Sequence, residues 1–234
     1  MEIMKGIRVK DLGLVVDGNL VIADTHVGYE EALNKQGVLI PRFQFKELID
    51  RLKGILEGNR FDKIVVNGDV KHEFGTISET EWRHTLKLLD FLKKYCSEVV
   101  LVRGNHDKIL GPIAQKRGVR VVDKIVIGDV LVVHGDKMPS KADLDGVKTV
   151  VIGHEHPAIS LREGSRVETF KCFLKGKFKG KGLIVMPSFN LVQEGTDVLK
   201  EKVLSPLLKQ NLDEFEVYIV ADKVYRFGEL RKLR

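Results

Sequence analysis

Six of the seven histidines in this chain of 234 residues stand in five short polar clusters, and each cluster directly follows a Val/Ile-rich run. Imidazole and carboxylate side chains together suit Mn, Fe, Zn or Ni better than Mg or Ca. Two such ions about 3.5–4 Å apart can produce hydroxide at neutral pH and hold both the attacking and the leaving oxygen. The clusters therefore predict a site for two metal ions, formed by Asp24 and His26, Asp69 and His72, Asn105 to Asp107, His134 and Asp136, and His154 and His156.

Two of the clusters share one spacing. His154 and His156, like Asp24 and His26, are two residues apart, so in an extended chain both side chains of a pair point the same way. We expect the two pairs to hold the ions from opposite sides. Glycines beside the clusters let the backbone turn tightly next to the ions, and these are Gly68, Gly104, Gly135 and Gly153.

The elements that must position these clusters alternate over the first two-thirds of the chain. Short apolar runs that end in Gly, Asn or Asp predict strands buried on both faces, at 12–16, 19–23, 63–67, 98–102, 130–133 and 149–152. Apolar stripes predict helices at 44–58, 78–95 and 109–118, the second starting with Ser78 and Glu81 as a capping box. Ligand sites gather where the strands of such α/β sheets end.

The last third of the chain has a different pattern. Residues 157–161, 165–174 and 182–186 read as strands without long helices between them, and 215–227 reads as a hairpin that turns at 221–223. We expect a central core of two sheets with helices outside and an antiparallel second half. The length fits one domain spanning residues 1–234.

The five clusters resemble, in order, the signature of the calcineurin-like metallophosphoesterases. That signature is D-x-H, G-D-x-x-(D/N/H), G-N-H-(D/E), an isolated His and G-H-x-H, and all five blocks stand between residues 24 and 156. The stretches 68-GDVKHEFG-75 and 182-GLIVMPSFN-190 are similar to those of small prokaryotic single-domain members, the ICC-like group, some described as associated with DNA ligase or helicase genes. The resemblance implies a four-layer αββα sandwich of two mixed sheets flanked by helices.

The resemblance also implies a role for each cluster residue. It assigns Asp24, His26 and His156 to the first metal, Asn105, His134 and His154 to the second, and Asp69 as the bridge. His106 would stabilise the transition state and protonate the leaving oxygen, with Asp107 orienting His106 or tuning its charge. His72 would either contact phosphate or support Asp69.

The reaction implied is metal-dependent hydrolysis of a phosphate ester, in which a metal-bridging hydroxide attacks phosphorus in line. Two divalent ions are the expected cofactor, manganese first, with iron, zinc and nickel as alternatives. One alternative function is a nucleic-acid end-processing phosphoesterase or nuclease with the same chemistry. Another is a non-catalytic scaffold of the same fold, although this chain retains every metal histidine of the signature and His106. Ester preference, physiological substrate and oligomeric state stay open.

The basic character of the chain is local. Its net charge is +6, yet residues 162–181 alone carry seven basic and two acidic side chains. Within them, Lys175, Lys177 and Lys179 alternate with Gly and Phe. One reading is a solvated hairpin whose lysines protect a strand edge. The other is a flap that tracks phosphates while Phe173 or Phe178 stacks on a base.

Composition narrows the setting of the protein. No apolar run approaches the roughly 18 residues of a membrane span, and the N-terminal stretch 1-MEIMKGIRVKDLG-13 does not read as a signal peptide. Cys96 and Cys172 form no C-x-x-C pair, which favours a cytoplasmic protein with reduced thiols. Abundant Lys, Arg and Glu with few Cys, Gln and Met also suggest a thermophilic source.

Overall fold

The structure is a computed structural model that describes residues 1–233, and it contains two mixed β-sheets. The first sheet has seven strands in chain order, of which the first four pair antiparallel and the last four pair parallel. They are β1 (Glu2–Met4), β2 (Ile7–Lys10), β3 (Gly13–Val16), β4 (Asn19–Ala23), β5 (Phe61–Asn67), β6 (Cys96–Val102) and β7 (Arg120–Val122).

The second sheet has nine strands. They are β8 (Lys124–Ile127), β9 (Val130–Val133), β10 (Thr149–Ile152), β11 (Pro157–Glu163), β12 (Arg166–Phe178), β13 (Lys181–Val185), β14 (Thr196–Asp197), β15 (Glu216–Val220) and β16 (Val224–Glu229). The order is β14-β11-β12-β13-β10-β9-β8, and β15 pairs with both β12 and β16. Strand β10 runs parallel to β9 and β13, whereas the other pairings, except β11 with β14, are antiparallel.

Four α-helices lie in the first half of the chain. They are α1 (Tyr29–Lys35), α2 (Gln44–Leu56), α3 (Glu79–Leu92) and α4 (Gly111–Lys116). The predicted capping box is confirmed, because Ser78 Oγ accepts from the Glu81 amide and the Glu81 carboxylate accepts from the Ser78 amide. Helix α1 escaped prediction because seven residues are too few to show a helical period.

The two sheets share one core. Along β10, Val151 belongs to the cluster formed with the first sheet and with helices α2 to α4, whereas Val150 and Ile152 belong to a second cluster. This alternation is the period of two that places successive strand side chains on opposite faces. The second cluster includes Leu144, Leu207 and Leu230, which come from the 3₁₀ helices Ala142–Leu144, Pro206–Leu208 and Leu230–Lys232.

The prediction of two mixed sheets flanked by helices is therefore confirmed, with a difference in the outer layers. Alpha-helices cover the first sheet, and 3₁₀ helices pack on the outer face of the second. The expected hairpin over residues 215–227 forms as β15 and β16. Strands β1, β2, β7, β8 and β14, each two to four residues long, were not predicted. None of the helices formed by residues 1–233 has the length and hydropathy that a membrane crossing requires.

The segment after β13 ties the carboxyl ends of the two sheets together. The Met186 amide donates to the Ile152 carbonyl at the end of β10, at 2.8 Å. Three residues later the Phe189 amide donates to the Ala23 carbonyl at the end of β4, at 2.7 Å. Asn67 Nδ2 adds a cross-sheet bond to the Val133 carbonyl at 3.1 Å. These bonds bring the polar residues that follow the parallel strands of both sheets to one end of the molecule.

Candidate metal centre

The first group of possible ligands is Asp24, His26 and His156, one potential donor atom from each lying within 4.8 Å of the others. His26 Nε2 and His156 Nε2 are 3.3 Å apart, and His156 Nε2 is 3.6 Å from Asp24 Oδ2. Donors bonded to one ion at about 2.0–2.2 Å lie roughly 3.0–3.5 Å from each other. The three side chains are therefore spaced closely enough to hold one cation.

The second group is Asp69, His134 and His154, and Asn105 adjoins it. His134 Nε2 lies 2.9 Å from Asn105 Oδ1 and 3.4 Å from Asp69 Oδ2. The same Asp69 oxygen is 3.8 Å from His26 Nε2, in the first group. Asp69 Oδ2 thus faces imidazole nitrogens of both groups, which is the position that a bridging carboxylate requires.

Two buried polar atoms of these groups lack, within residues 1–233, the hydrogen-bond partners that buried polar atoms usually have. Asp24 Oδ1 and His134 Nδ1 have no hydrogen-bond partner among the described residues, and they are 3.5 Å apart. Unpaired buried polar atoms are costly. Cations at the donor atoms beside them would offset that cost, so the residues present fit a pair of divalent ions.

The backbone at the site is unusual. Eight non-glycine residues in the described chain have positive φ, and five of them are predicted ligands, with φ between 40° and 65°. They are Asp24, His26, Asp69, His154 and His156. Neither the Asp24/His26 pair nor the His154/His156 pair is therefore extended, so the rule that side chains two residues apart point the same way does not apply to them. Left-handed residues of this kind cluster at functional sites, where surrounding contacts compensate the strain.

Two glycines permit approaches that no other residue would allow. A Cβ on Gly104 would lie 2.1 Å from Asp69 Oδ1 and 2.3 Å from the Asp69 amide. A Cβ on Gly68, whose φ is +79°, would lie 1.9 Å from His134 Nδ1. Both glycines were predicted to allow tight turns, and the structure shows that they also leave room for the side chains of Asp69 and His134.

His106 lies beside the bridge and its tautomer is determined by a carbonyl. Its backbone amide donates to Asp69 Oδ1 at 2.9 Å, and its Nδ1 contacts the His72 carbonyl oxygen. Because a carbonyl oxygen only accepts, Nδ1 must carry a proton. The other nitrogen, Nε2, is 3.7 Å from Asp69 Oδ2 and so faces the space between the two groups.

Asp107 contacts backbone and is almost completely buried. Its carboxylate accepts from the amides of Val70 at 3.0 Å, Gly104 at 3.0 Å and Lys71 at 3.5 Å. Burial, followed by the charge of Asp69, raises the pKa of Asp107 to about 7. The described residues show no hydrogen bond between Asp107 and the His106 ring, and the bonds of the Asp107 carboxylate are all to backbone amides.

His72 lies next to the site and forms a third imidazole group with His26 and His106. Its Nδ1 is 3.4 Å from His26 Nδ1, and its ring packs against Tyr29 with centroids 4.2 Å apart. Burial, followed by the charge of His106, lowers the pKa of His72 to about 4. The structure thus places His72 against His26 and does not bring it into contact with Asp69.

The pKa values of His26 and His134 are shifted in opposite directions by their surroundings. Burial and the charge of His156 lower the pKa of His26 well below its ordinary value. Burial works in the same direction on His134, but the hydrogen bond to Asp69 and the charge of Asp24 raise the pKa of His134 to about 9. A proton therefore competes with a cation at His134, and metal binding there would release it.

Several supporting residues were missed by the sequence analysis or seen in only one role. Glu81, predicted as a helix cap, also accepts from the amides of His72 and Glu73 at 3.1 and 2.8 Å. Gln44 Nε2 donates to the His26 carbonyl at 3.2 Å and to Asn190 Oδ1 at 3.0 Å. Glu155 lies between two candidate ligand histidines in the sequence, which was a usable signal, and its Oε2 accepts from the Leu204 and Ser205 amides at 2.8 Å.

The structure does not bring the lysines of the basic segment to the site. Lys177 pairs with Gly182, which in turn pairs with Thr149 at the start of β10, the end opposite His154. Lys175 Nζ is 2.9 Å from Glu216 Oε2. Phe173 and Phe178 are buried, so neither can stack on a base. The position favours the solvated hairpin over the phosphate-tracking flap.

The opposite end of β12 extends past the site. Leu174 pairs with Val185, the last residue of β13, so residues 166–173 continue beyond that edge. Of these, residues 166–171 pair with β11, which begins directly after His156. The β11–β12 hairpin carries Arg162 and Arg166, both exposed, beyond the carboxyl end of β13.

Lys171, also within the basic segment, is buried under this region. Its Nζ donates to Ser188 Oγ at 3.0 Å and to the carbonyls of Gln193 and Glu194 at 2.6 and 3.1 Å. Burial lowers the pKa of Lys171 to about 8. This lysine therefore anchors the segment that follows β13, and it is not part of a charged surface.

Comparison with known proteins places the chain among phosphoesterases. A family model described as calcineurin-like phosphoesterase matches residues 20–160. No curated protein sequence matches the chain. The crystal structure of the nuclease MPE from Pseudomonas putida is 21% identical, with a TM-score of 0.63 over 93% of this chain and 92% of its own. At this identity the likeness supports a shared fold.

Two other solved structures are more distant. The protein of unknown function AQ665 from Aquifex aeolicus is 20% identical, with a TM-score of 0.40 over 59% of this chain and 78% of its own. Vps29 from Entamoeba histolytica, solved with zinc, is 19% identical, with a TM-score of 0.36 over 90% of this chain and 98% of its own.

The close approach at Gly104 gives a steric test of the site. We expect Gly104→Ala to displace the Asp69 carboxylate and remove at least one of the two ions, because the added Cβ would lie 2.1 Å from Asp69 Oδ1. Metal content measured after reconstitution with Mn²⁺ checks this. Gly54→Ala, in α2 with open space around the new Cβ, is the control. It should keep both ions and raise the free energy of unfolding by about 0.5–1 kcal/mol. Full metal content in Gly104→Ala would contradict the assignment of Asp69.

Burial of Lys171 predicts a pH dependence of stability. The folded-state pKa of about 8 lies below the value of about 10.4 for an unfolded lysine. Below pH 8 both states hold the proton and the cost of burying the ammonium is fully present. As pH rises from 8 to 10.4 that cost disappears, so the folded state gains roughly 2–3 kcal/mol relative to a variant without the amine.

Urea unfolding of the wild type and Lys171→Met between pH 7.5 and 10.5 measures this gain. The free energy of unfolding of the wild type minus that of Lys171→Met should rise with pH. Lys177→Met, an exposed lysine on the same strand, is the matched control and should give a flat difference. A flat or falling difference for Lys171→Met would mean that the ammonium is not buried as described.

Proposed function

The chain belongs to the calcineurin-like phosphoesterase family, and from that premise we propose that it hydrolyses a phosphate ester at a dinuclear metal centre. Metal-dependent phosphoester hydrolysis is the activity of the family. The finer proposal is a ligand set with one bridging carboxylate, made up of Asp24, His26 and His156 for one ion, Asn105, His134 and His154 for the other, and Asp69 between them.

The position of one oxygen carries this proposal. Asp69 Oδ2 is 3.8 Å from His26 Nε2 and 3.4 Å from His134 Nε2, and those two imidazoles come from different sheets. A carboxylate can neutralise two cations at once, whereas the neutral amide of Asn105 leaves the site positive enough to attract a phosphate. When bound, the two cations would supply hydroxide at neutral pH and hold the attacking and leaving oxygens.

His106 has the geometry of a proton donor to the leaving group. Its Nδ1 proton is held by the His72 carbonyl, so only Nε2 can exchange a proton with substrate. Nε2 faces the space beside Asp69 at 3.7 Å. We therefore assign His106 to stabilising charge on the phosphoryl oxygens and protonating the leaving oxygen. Asp107 positions His106 by bonding the amides of Val70 and Gly104.

Manganese is the proposed ion, with iron, zinc and nickel as alternatives that the imidazole-rich ligand set also suits. A cytoplasmic location is proposed from the cysteines. Cys96 and Cys172 are buried and unpaired, as expected of a protein kept in a reducing compartment.

A nucleic-acid substrate is the second candidate. It is supported by Arg162 and Arg166 on the hairpin that extends past the site, where they could contact a phosphate backbone. The fold shared with the nuclease MPE is compatible with this reading. The lysines at the opposite end of β12 no longer support it.

An activity panel with Mn²⁺ tests the proposed function. It compares a mononitrophenyl ester, a bis-nitrophenyl ester, a cyclic nucleotide and short DNA. We expect Asp69→Asn to lose most activity and at least one ion, because an amide cannot neutralise two cations. Asp222→Asn, an exposed aspartate on the β15–β16 turn, should match the wild type. Full turnover by Asp69→Asn with both ions retained would count against the bridge, and an inactive wild type with both ions bound would favour a scaffold.

Replacement of His106 should separate chemistry from metal binding. We expect His106→Asn to retain both ions and to lower kcat by about 10²–10⁴-fold, most for esters with poor leaving groups, because proton donation matters most there. His84→Asn, in α3 and outside the clusters, should leave the rate unchanged. Loss of metal from His106→Asn, or an equal loss for good and poor leaving groups, would show that the assigned role is wrong.

A further inference from the structure

Phe74 is an exposed aromatic ring that packs on the proposed proton donor. Phe74 is 59% exposed, and its ring centroid is 3.5 Å from that of the His106 imidazole, with the planes tilted by 33°. A phenylalanine with this much apolar surface in water gains little from folding. Because Phe74 also contacts His106, its solvent-exposed part is in a position to contact a ligand bound at the site.

The backbone on the N-terminal side of Phe74 is held from two directions. Glu81 Oε1 accepts from the amides of His72 at 3.1 Å and Glu73 at 2.8 Å. Lys71, which is fully buried, directs its Nζ to the Glu73 carbonyl, the oxygen of the peptide bond that joins Glu73 to Phe74. A ring presented on so constrained a segment loses less conformational entropy when a ligand covers it.

The chemistry proposed for His106 places the ring beside the leaving group. Nε2 of His106 would protonate the leaving oxygen, and Phe74 packs against the face of the same imidazole. The organic group attached to that oxygen would therefore begin close to the Phe74 ring. A planar ring in that group could stack on Phe74, as bases stack on exposed aromatic side chains in other proteins.

We propose that Phe74 forms a subsite for an aromatic ring on the leaving group, so that the preferred substrates are esters of alcohols that carry an aryl group or a nucleobase. This proposal rests on the proposed function, because it needs His106 to act at the leaving oxygen. It adds a specificity-determining side chain outside the metal ligands, and it identifies the class of organic group that the site selects.

A packing role for Phe74 makes a different prediction. If the ring only keeps His106 in place, its removal slows every ester alike and mainly through kcat. If it binds the leaving group, its removal raises KM for esters with an aromatic ring and leaves a methyl ester almost unaffected. Phe74→Leu keeps an apolar side chain on His106 without a π-face, and Phe74→Trp restores an aromatic face.

The experiment measures kcat and KM for three esters of the type, mono- or diester, that the wild type hydrolyses in the panel. The leaving groups are methanol, benzyl alcohol and the 5′-hydroxyl of thymidine. The enzymes are the wild type, Phe74→Ala, Phe74→Leu, Phe74→Trp and the control Phe227→Ala, an exposed phenylalanine on β16. Metal content is measured for each enzyme.

We expect Phe74→Ala and Phe74→Leu to keep both ions and to lose on the order of ten-fold in kcat/KM on the ring-bearing esters, through KM. On the methyl ester they should lose less than about two-fold, whereas Phe74→Trp and Phe227→Ala should resemble the wild type. A loss on the benzyl ester alone identifies a small aryl group, and a larger loss on the thymidine ester identifies a nucleobase.

Equal losses on all three esters, with the wild type active, would overturn the subsite and leave the proposed function standing. An unchanged profile for Phe74→Ala would also overturn it. A wild type that hydrolyses none of the esters with both ions bound would remove the proposed function, and the subsite with it.

Discussion

The carboxylate of Asp69 is the group on which the rest of the site depends. Its Oδ2 faces His26 Nε2, which follows β4 of the first sheet, and His134 Nε2, which follows β9 of the second. Its other oxygen accepts from the His106 amide. One side chain can reach both groups only if the carboxyl ends of two sheets are brought within a few ångströms of each other. The cross-sheet bonds of Asn67 and of the segment after β13 maintain that closeness.

Holding so many candidate ligands in so small a volume has a structural cost. Five of the predicted ligands adopt left-handed backbone, and Asp24 Oδ1 and His134 Nδ1 are buried without a hydrogen-bond partner in the described chain. Contacts around the site compensate part of this cost. Asp24 Oδ2 accepts from the His154 amide, and Asp107 and Glu81 each hold backbone amides of the loops beside the site. Binding of cations would compensate the rest, which couples the stability of these loops to metal content.

The basic segment shows how sequence proximity can mislead about spatial proximity. By net charge, residues 162–181 look like one basic feature. The structure divides them among the end of β11, all of β12 and the start of β13, and places their basic side chains in three environments. Lys177 lies at the edge opposite the ligands, Lys171 is buried against backbone carbonyls, and Arg162 and Arg166 lie on the hairpin beyond the site. The reason is the length of β12, because only its last five residues, 174–178, pair with β13 and the first eight continue past the carboxyl end of that strand.

The amino-acid sequence by itself determined the fold class, the strands that precede each cluster, the capping box of α3 and the identity of the candidate ligands. It could do so because buried strands and metal ligands leave local patterns of residue type and spacing. It did not determine the left-handed backbone of the ligand pairs, the contact of His72 with His26, the bonds from Asp107 to backbone amides, or the packing of Phe74 on His106. Those depend on which loops of two separate sheets meet, and only the tertiary structure decides that, because the partners lie about 30 to 130 residues apart in the chain.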